Sequence, residues 1–231
     1  MDLALLKTLS EAPGVPGREE RVRAILQTHS KKLFDTVTVD PMGSLIATKK
    51  SKAKNAKRVL LACHMDEIGF YVKHIDDRGF VRLNPAGGFD PRNLFARRVM
   101  IQASSGDDLV GLMNPAGRPI HIAKDEDKKK IPEAGEFMVD LGLPPAIVKA
   151  KVRIGDPCTL VQTFDQIGDV VSGKCLDNRV AGFVAIEAMR KIKNLKYHLI
   201  FAATVQEEVG RPGRVHRRAG YRHRDRHHPR R

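Results

Sequence analysis

The segment 199–210 constrains the fold of this 231-residue chain more than any other stretch. It is an apolar run that ends in two adjacent carboxylates, Glu207 and Glu208. A second apolar run, residues 58–63, leads directly into His64. Continuous apolar runs of this length are typical of strands that are buried on both faces, as in the parallel sheets of α/β proteins. The sequence therefore predicts an α/β domain with polar residues at the carboxyl ends of two buried strands.

Other segments carry the periodicity of ordinary α/β elements. In three segments, apolar residues repeat at helical spacing. Two further short segments, which flank a Pro-Met-Gly turn, have the pattern of paired β-strands. The first helix begins at Leu3 and is expected to stop at residues 12–14, where proline and glycine follow each other. The other predicted elements are a helix over 19–33, a β-hairpin over 36–39 and 44–48, and a helix over 178–192.

Between residues 67 and 162 the pattern changes to short alternating β segments separated by Gly, Pro and Asp. Many short strands at this spacing are typical of a small β-barrel or sandwich. The predicted strands are 70–75, 80–83, 99–103, 109–113, 137–141 and 159–161. We therefore expect an α/β domain made of residues 1–66 and 163–210, which carries the β domain 67–162 as an insertion.

Positive charge is concentrated near the carboxyl end of the chain. Residues 211–231 hold nine arginines and one aspartate, which supply +8 of the net charge of +14. The rest of the sequence is only mildly basic, so we expect no nucleic-acid partner for the folded part of the chain. The Arg/His-rich composition of 211–231 predicts a disordered tail.

Cysteine usage and hydropathy indicate the compartment. Cys63, Cys158 and Cys175 are an odd number at wide spacing without a CxxC pair, which favours a reducing cytosol. No secretion signal and no apolar run of membrane-spanning length can be read in the sequence. We expect a cytoplasmic protein without a membrane partner.

Three polar clusters lie where a predicted strand ends or a predicted helix begins: 64–67, 177–179 and 207–208. In open α/β sheets, functional sites form beyond the carboxyl ends of the strands, so these clusters can meet. Each cluster alone has a simpler interpretation: a structural histidine, a helix N-cap at Asp177, or two solvated glutamates. Their conjunction favours a site.

The residue types in these clusters suit metal-assisted hydrolysis. Imidazole nitrogens and carboxylate oxygens bind zinc and similar divalent ions, and one carboxylate can bridge two metals. Asp66, two residues beyond His64 on the same side of an extended segment, can accept a ring N–H and fix the tautomer. Adjacent glutamates point in different directions, so one can bind metal while the other acts as a general base. That divergence argues against a glycosidase, in which two carboxyl groups flank one sugar bond.

Six short motifs follow one another along the chain. They are HMDEIG at 64–69, GGFD at 87–90, FMVDLG at 137–142, IGDP at 154–157, LDNR at 176–179 and QEEVG at 206–210. In this order and spacing they resemble the motifs of the M42 family of metallo-aminopeptidases, and the resemblance runs from the amino terminus to Gly210. An ordered set of this kind is far more specific than a lone His-x-Asp pair.

The resemblance implies a metallopeptidase-type α/β/α catalytic domain with an inserted small β-barrel used for oligomerisation, from a dimer up to a dodecamer. It implies two divalent metal ions, zinc or cobalt, and peptide substrates that lose their N-terminal residues. Carried over by position, His64 would bind one metal, Asp177 would bridge both metals, and Glu208 would bind a metal. Glu207 would be the general base, and Asp66 would orient His64.

Residues 211–231 depart from the family pattern. Family members continue well beyond this point with a further aspartate and a histidine ligand, so a chain without them is expected to be inactive. A frameshift after Gly210 is our hypothesis, because the codons of 212–214, read from the second base, can encode the Arg-Gly-Ala that family members show there. Three other functions stay open: a deacylase on the same dinuclear scaffold, a nucleic-acid-binding protein that uses the basic tail, and a scaffold formed by the inserted β domain alone.

Overall fold

The computed structural model describes residues 2–117, 120–122, 125 and 129–210. The predicted disordered tail, 211–231, lies outside these residues. The helices with described bounds are α1 (Leu3–Glu11), α2 (Glu20–Ser30), α3 (Pro145–Lys151) and α4 (Leu176–Lys191). The strands are β1 (Thr36–Val39), β2 (Leu45–Lys49), β3 (Arg58–His64), β4 (Gly69–Ile75), β5 (Val81–Ala86), β6 (Arg97–Gln102), β7 (Asp108–Pro115), β8 (Phe137–Asp140), β9 (Pro157–Leu160), β10 (Asp165–Ile167), β11 (Val170–Ser172) and β12 (His198–Thr204).

A four-stranded sheet in the order β1-β2-β12-β3 forms the centre of the α/β part. β12 pairs parallel to β3 and antiparallel to β2, and β1 and β2 form the predicted hairpin. Helices α1, α2 and α4 pack on this sheet around a shared apolar core that includes Leu9, Leu26 and Phe201. The predicted helices and strands of this part are therefore present, which confirms the α/β class.

Helix α2 ends earlier than its periodicity predicts. Its last residue is Ser30, whereas the apolar pattern extends to Leu33. The N–H groups of Leu33 and Phe34 both bond to the Ser30 carbonyl, so the chain turns at this point towards β1. The difference is one turn of chain and leaves the buried face of the helix unchanged.

The prediction that residues 58–63 form a strand is confirmed, but the prediction that both of its faces are buried is wrong. Arg58 and Ala62 are exposed, and the residues between them are only partly buried. The reason is position: among the described strands, β3 pairs with β12 alone and forms the edge of the sheet. The apolar run therefore marks an edge strand whose outer side is uncovered in the described part of the chain.

The six strands predicted between residues 67 and 162 close into a barrel in the order β4-β5-β8-β7-β6-β9. Its interior is filled by alternate residues of these strands, among them Phe70, Met113 and Phe137. The chain leaves the sheet after β3, forms the barrel with β4 to β9, and returns to the sheet at β12. In the order of the sequence the barrel is therefore an insertion between two strands of the sheet. The boundaries of the three sequence segments assigned to the two domains stay a prediction.

The barrel and the α/β part meet at a short junction. Gly69 has no room for a side chain, because a Cβ there would overlap Val15 Cγ1. Tyr71 donates its hydroxyl hydrogen to the Pro16 carbonyl at 2.6 Å. These contacts bring the loop before α2 against the first barrel strand, beside the carboxyl end of β3. No helix in the described residues has the length and apolar character needed to cross a bilayer.

Candidate metal centre

The parallel pairing of β3 and β12 brings two of the three polar clusters together. Thr204 lies directly opposite His64 in the register, and Met65 donates its N–H to the Thr204 carbonyl at 2.9 Å. The residues that follow each strand therefore leave the sheet side by side. The prediction that the strand ends would meet at one edge of the sheet is confirmed by this register.

Asp66 lies at the centre of the site and is fully buried. One carboxylate oxygen accepts the N–H of Glu207 at 3.1 Å, and the other accepts the N–H of Glu208 at 2.9 Å. Burial would raise the pKa of Asp66, but His64 and these two N–H groups outweigh it and lower the pKa. Asp66 thus holds the two glutamates in place through their backbone.

His64 is oriented by the same segment. Its Nδ1 lies 3.1 Å from the Asp66 carbonyl oxygen and 3.5 Å from the nearer Asp66 carboxylate oxygen. The closer partner is the carbonyl, whereas the sequence pointed to the carboxylate. A ring N–H donated from Nδ1 leaves Nε2 directed towards the remaining acidic residues.

Nε2 of His64 faces two carboxylates. It lies 3.5 Å from Asp177 Oδ1 and 3.9 Å from Glu207 Oε2. Burial alone would lower the pKa of His64, but the Asp66 and Glu207 carboxylates outweigh it and raise the pKa to about 9. The imidazole is therefore protonated at neutral pH when no other cation is present.

Glu208 completes the negative side of the site. Burial raises its pKa, and the Asp66, Glu207 and Asp177 carboxylates act in the same direction, although His64 opposes them. Carboxylates that crowd one another in this way favour a cation among them. One ligand atom each from His64, Glu207 and Glu208 lies within 4.8 Å of the others. An imidazole and two carboxylates at this spacing fit a divalent metal ion.

Asp177 occupies a different position from the one its simpler interpretation requires. It does not act as the N-cap of α4: Cys175 precedes the helix, whereas Asp177 and Asn178 lie inside its first turn with non-helical φ and ψ angles. Its side chain is 92% exposed and approaches His64 from the solvent side. Asp177 is not a member of the compact three-residue group.

The sequence did not indicate a set of buried charged residues behind the site: Glu19, Glu67, Lys174 and Arg179. Two of them occur within the quoted motifs, HMDEIG and LDNR, but neither was given a role. A charged residue inside an otherwise apolar pattern can indicate that the residue is buried and paired. Arg179 is such a residue, because it is nearly inaccessible on the inner face of α4. Their partners come from distant parts of the chain, which no local pattern reveals.

Comparisons with known proteins identify relatives by sequence and by fold. The sequence profile described as M42 glutamyl aminopeptidase matches residues 43–218. Lysyl aminopeptidase from Pyrococcus furiosus is 31% identical over 219 residues, which cover 92% of this chain and 61% of that protein. The chain thus spans about three fifths of the length of this relative.

Solved structures with the same fold include two TET peptidases. A TET aminopeptidase from the marine sediment archaeon Thaumarchaeota archaeon SCGC AB-539-E09 is 34% identical with a TM-score of 0.82, covering 90% of this chain and 60% of that chain. Pyrococcus horikoshii TET1 peptidase, which can assemble into a tetrahedron or a large octahedral shell, is 29% identical with a TM-score of 0.77. That match covers 90% of this chain and 62% of the other.

Proposed function

The chain belongs to the M42 glutamyl aminopeptidase family, and from that premise we propose that it carries the metal site of a peptidase that removes N-terminal residues from peptides. The observation that carries the proposal is the compact group of His64, Glu207 and Glu208. His64 and Glu208 offer the nitrogen and oxygen ligands that zinc and cobalt accept, and the carboxylate of Glu207 lies beside them. The relative named lysyl aminopeptidase supports the same reaction.

By the family resemblance, the site would hold two divalent ions, zinc or cobalt, through His64, Asp177 and Glu208. Bound ions would polarise the scissile carbonyl and activate water for attack. Asp66 restrains the imidazole of His64 from the buried side of the site. Asp177 approaches the same imidazole from the solvent side, and its exposed carboxylate would be free to reach the ions.

Glu207 is the proposed general base. Its side chain is 47% exposed, whereas Glu208 is partly buried, so Glu207 has better access to a water molecule in the cleft. Its backbone N–H is held by Asp66, which fixes the point from which the side chain extends. As a base, Glu207 would take a proton from water and pass it to the departing amine.

The proposal includes homo-oligomerisation through the inserted barrel, from a dimer up to a dodecamer. Val110 and Leu112 are exposed on the outer face of β7, and Phe95 is exposed just before β6. Neighbouring exposed apolar side chains mark contact surfaces more often than isolated ones do. The ability of the TET1 peptidase to assemble into a tetrahedron or a large octahedral shell supports this part of the proposal.

Cobalt titration of the purified chain tests the metal site. We expect Glu208→Gln to weaken Co²⁺ binding, measured by calorimetry, by at least about tenfold, because loss of a residue behind a metal ligand already costs about 10–100-fold. Glu20→Gln, which neutralises an exposed glutamate on α2, is the matched control. Equal Co²⁺ affinity in the wild type and in both variants would contradict the assignment.

The reaction class is tested separately with chromogenic amides. Aminoacyl substrates with a free amino group are compared with the same substrates carrying an N-acetyl group, using metal-loaded protein. Metal-dependent release from the free-amino substrates alone would indicate an aminopeptidase, and hydrolysis of the N-acyl bond would indicate a deacylase. Co²⁺ binding is the primary test, because it reports on the metal site without depending on the choice of substrate.

A further inference from the structure

We propose that a buried ionic cluster behind the site, formed by Glu67, Lys174 and Arg179, is a positioning device for the metal ligands. It ties the segment 174–179, which carries Asp177, to the segment 64–67, which carries His64 and Asp66. The inference rests on the proposed function, because it assigns these residues to the same metal site. None of the three touches the group formed by His64, Glu207 and Glu208 in a hydrogen bond or ion pair among the described residues.

Glu67 is the acceptor at the centre of the cluster. Lys174 Nζ donates to both of its carboxylate oxygens, at 2.8 and 2.9 Å. Cys175 Sγ donates to the same carboxylate at 3.0 Å, and the N–H of Gly14 donates at 3.2 Å. A single carboxylate, one residue beyond Asp66, thus binds two consecutive residues of the segment that leads to Asp177.

Arg179 makes the second connection, from the other side of Asp177. Its Nε donates to the Met65 carbonyl at 2.8 Å, between His64 and Asp66 in the chain. Its Nη1 donates to the carbonyls of Leu9 and Ala12, and its Nη2 donates to the Gly14 carbonyl and to Glu67 Oε1, each at 3.4 Å. The planar guanidinium fixes the direction of each of these bonds, which a flexible ammonium group would not do.

The two connections bracket Asp177 within the sequence. Lys174 and Cys175 precede it, Arg179 follows it, and both ends are fastened to the segment 64–67. The Asp177 carboxylate itself is exposed and faces only His64 among the contacts described for it. Its position therefore depends on the backbone between these fastened ends.

The charge of the cluster is hard to explain by stability alone. Glu67, Lys174 and Arg179 have side-chain exposures of 5%, 9% and 1%, respectively. Buried ion pairs can often be replaced by apolar residues without loss of stability, because desolvation offsets their attraction. Apolar residues in these positions would not fix the geometry between the two segments. A metal site requires such a fixed geometry, because its ligands must be held precisely.

Substitution of Lys174 by methionine tests the proposal with Co²⁺ as the probe. We expect Lys174→Met to weaken Co²⁺ binding by about 10–100-fold, the range found when partners behind metal ligands are removed. Lys174→Arg, which restores the charge, should recover most of that affinity. Lys149→Met is the matched control, since Lys149 makes an ion pair of 2.9 Å with Asp77 on the barrel surface.

The unfolding midpoint of the metal-free variants is measured alongside. A purely structural role would lower this midpoint and leave the Co²⁺ affinity of the folded variant unchanged, and that result would overturn the proposal. If Lys174→Met does not fold, as judged by circular dichroism, Lys174→Gln replaces it under the same criteria, because glutamine keeps one donor for Glu67. Absence of Co²⁺ binding in the wild type would instead overturn the proposed function, and the inference with it.

Discussion

Glu19 shows how much one buried side chain contributes to the site without touching a metal ligand's side chain. Its carboxylate is only 3% exposed, and one oxygen accepts the N–H groups of both Gly17 and Gln206, at 2.7 and 3.0 Å. Gln206 has a positive φ of 60° and immediately precedes Glu207. Glu19 therefore stabilises the turn that carries the two site glutamates.

Loss of this acceptor should destabilise the fold. We expect Glu19→Ala to lower the free energy of unfolding by about 1–2 kcal/mol, because the partly buried N–H groups of Gly17 and Gln206 lose their acceptor and a fully buried unpaired N–H costs about 1–3 kcal/mol. Glu19→Gln, which keeps an oxygen acceptor, is the control and should lose much less. Urea unfolding of the three proteins measures the difference, and equal losses in both variants would show that the N–H contacts are unimportant.

The pH dependence of the free energy of unfolding provides a second test of the role of Glu19. Burial raises the pKa of Glu19, although the N–H groups of Gly17 and Gln206 oppose it. A carboxyl whose pKa is raised in the folded state stabilises that state at low pH and loses this contribution as pH rises through the folded-state pKa. The stability of Glu19→Gln relative to the wild type should therefore improve as the pH rises through that range.

Site residues could be predicted from the sequence where local pattern determines their position. His64, Asp66, Glu207 and Glu208 follow apolar runs, and the strands place them together. Glu19 and Lys174 could not be predicted in this way, because their roles come from partners far away in the chain. Whether a charged residue is buried depends on how several elements pack together, and the hydrophobic periodicity of the sequence does not show this packing.

At the scale of elements, the barrel strands were predictable because each presents one face to a core. In β5, Val81 and Leu83 are buried on one side, and Val99 and Ile101 repeat the pattern in β6. Helix α3 and the hairpin of β10 and β11 were not predicted. Only Val148 of α3 is buried, and neither hairpin strand has a buried residue, so no apolar alternation marks them.

Strand β3 provides the prediction at this scale. No other described strand pairs with its outer edge, which lies beside the exposed Ala62, and an unpaired edge is a template for pairing with another chain. We expect Ala62→Lys to reduce concentration-dependent aggregation, because a charge on an edge strand opposes such pairing. Static light scattering over a concentration series measures the effect.

Ala53→Lys is the control for this change. It adds the same charge at an exposed position in the loop before β3, away from the strand edge. If both variants reduce aggregation equally, the added net charge explains the reduction. If Ala62→Lys does not change the concentration at which aggregation begins, the edge of β3 is not the site of association. The unfolding midpoint should stay the same in both variants, since neither side chain is buried.

At the scale of the whole molecule, the described residues form two separate apolar cores, one in the sheet part and one in the barrel. No buried residue of the sheet core belongs to the barrel core. Besides the Gly69 and Tyr71 contacts, the junction contains a bidentate pair in which Arg21 donates to both oxygens of Asp108, at 2.6 and 2.8 Å. Two cores with separate periodicities explain why the two parts could be recognised from the sequence, whereas their relative placement rests on a few contacts that no pattern indicates.

Oligomerisation through the barrel gives the last prediction. Val110 and Leu112 are 54% and 44% exposed on one outer face of β7. We expect the double substitution Val110→Ser and Leu112→Ser to weaken self-association by about tenfold or more. Burial of one aliphatic side chain contributes about 1.5–3 kcal/mol, and about 1.4 kcal/mol corresponds to a factor of ten.

Light scattering coupled to gel filtration measures the mass of each variant over a concentration series. The matched control is Ile167→Ser with Val170→Ser, which removes two aliphatic side chains of 62% and 63% exposure from the β10–β11 hairpin. If both pairs reduce the mass equally, general stickiness of apolar surface explains the association better than a barrel interface does. A wild-type chain that stays monomeric at every concentration would contradict assembly through the barrel, whereas a mass that falls only in the β7 variant would identify the outer face of the barrel as the contact.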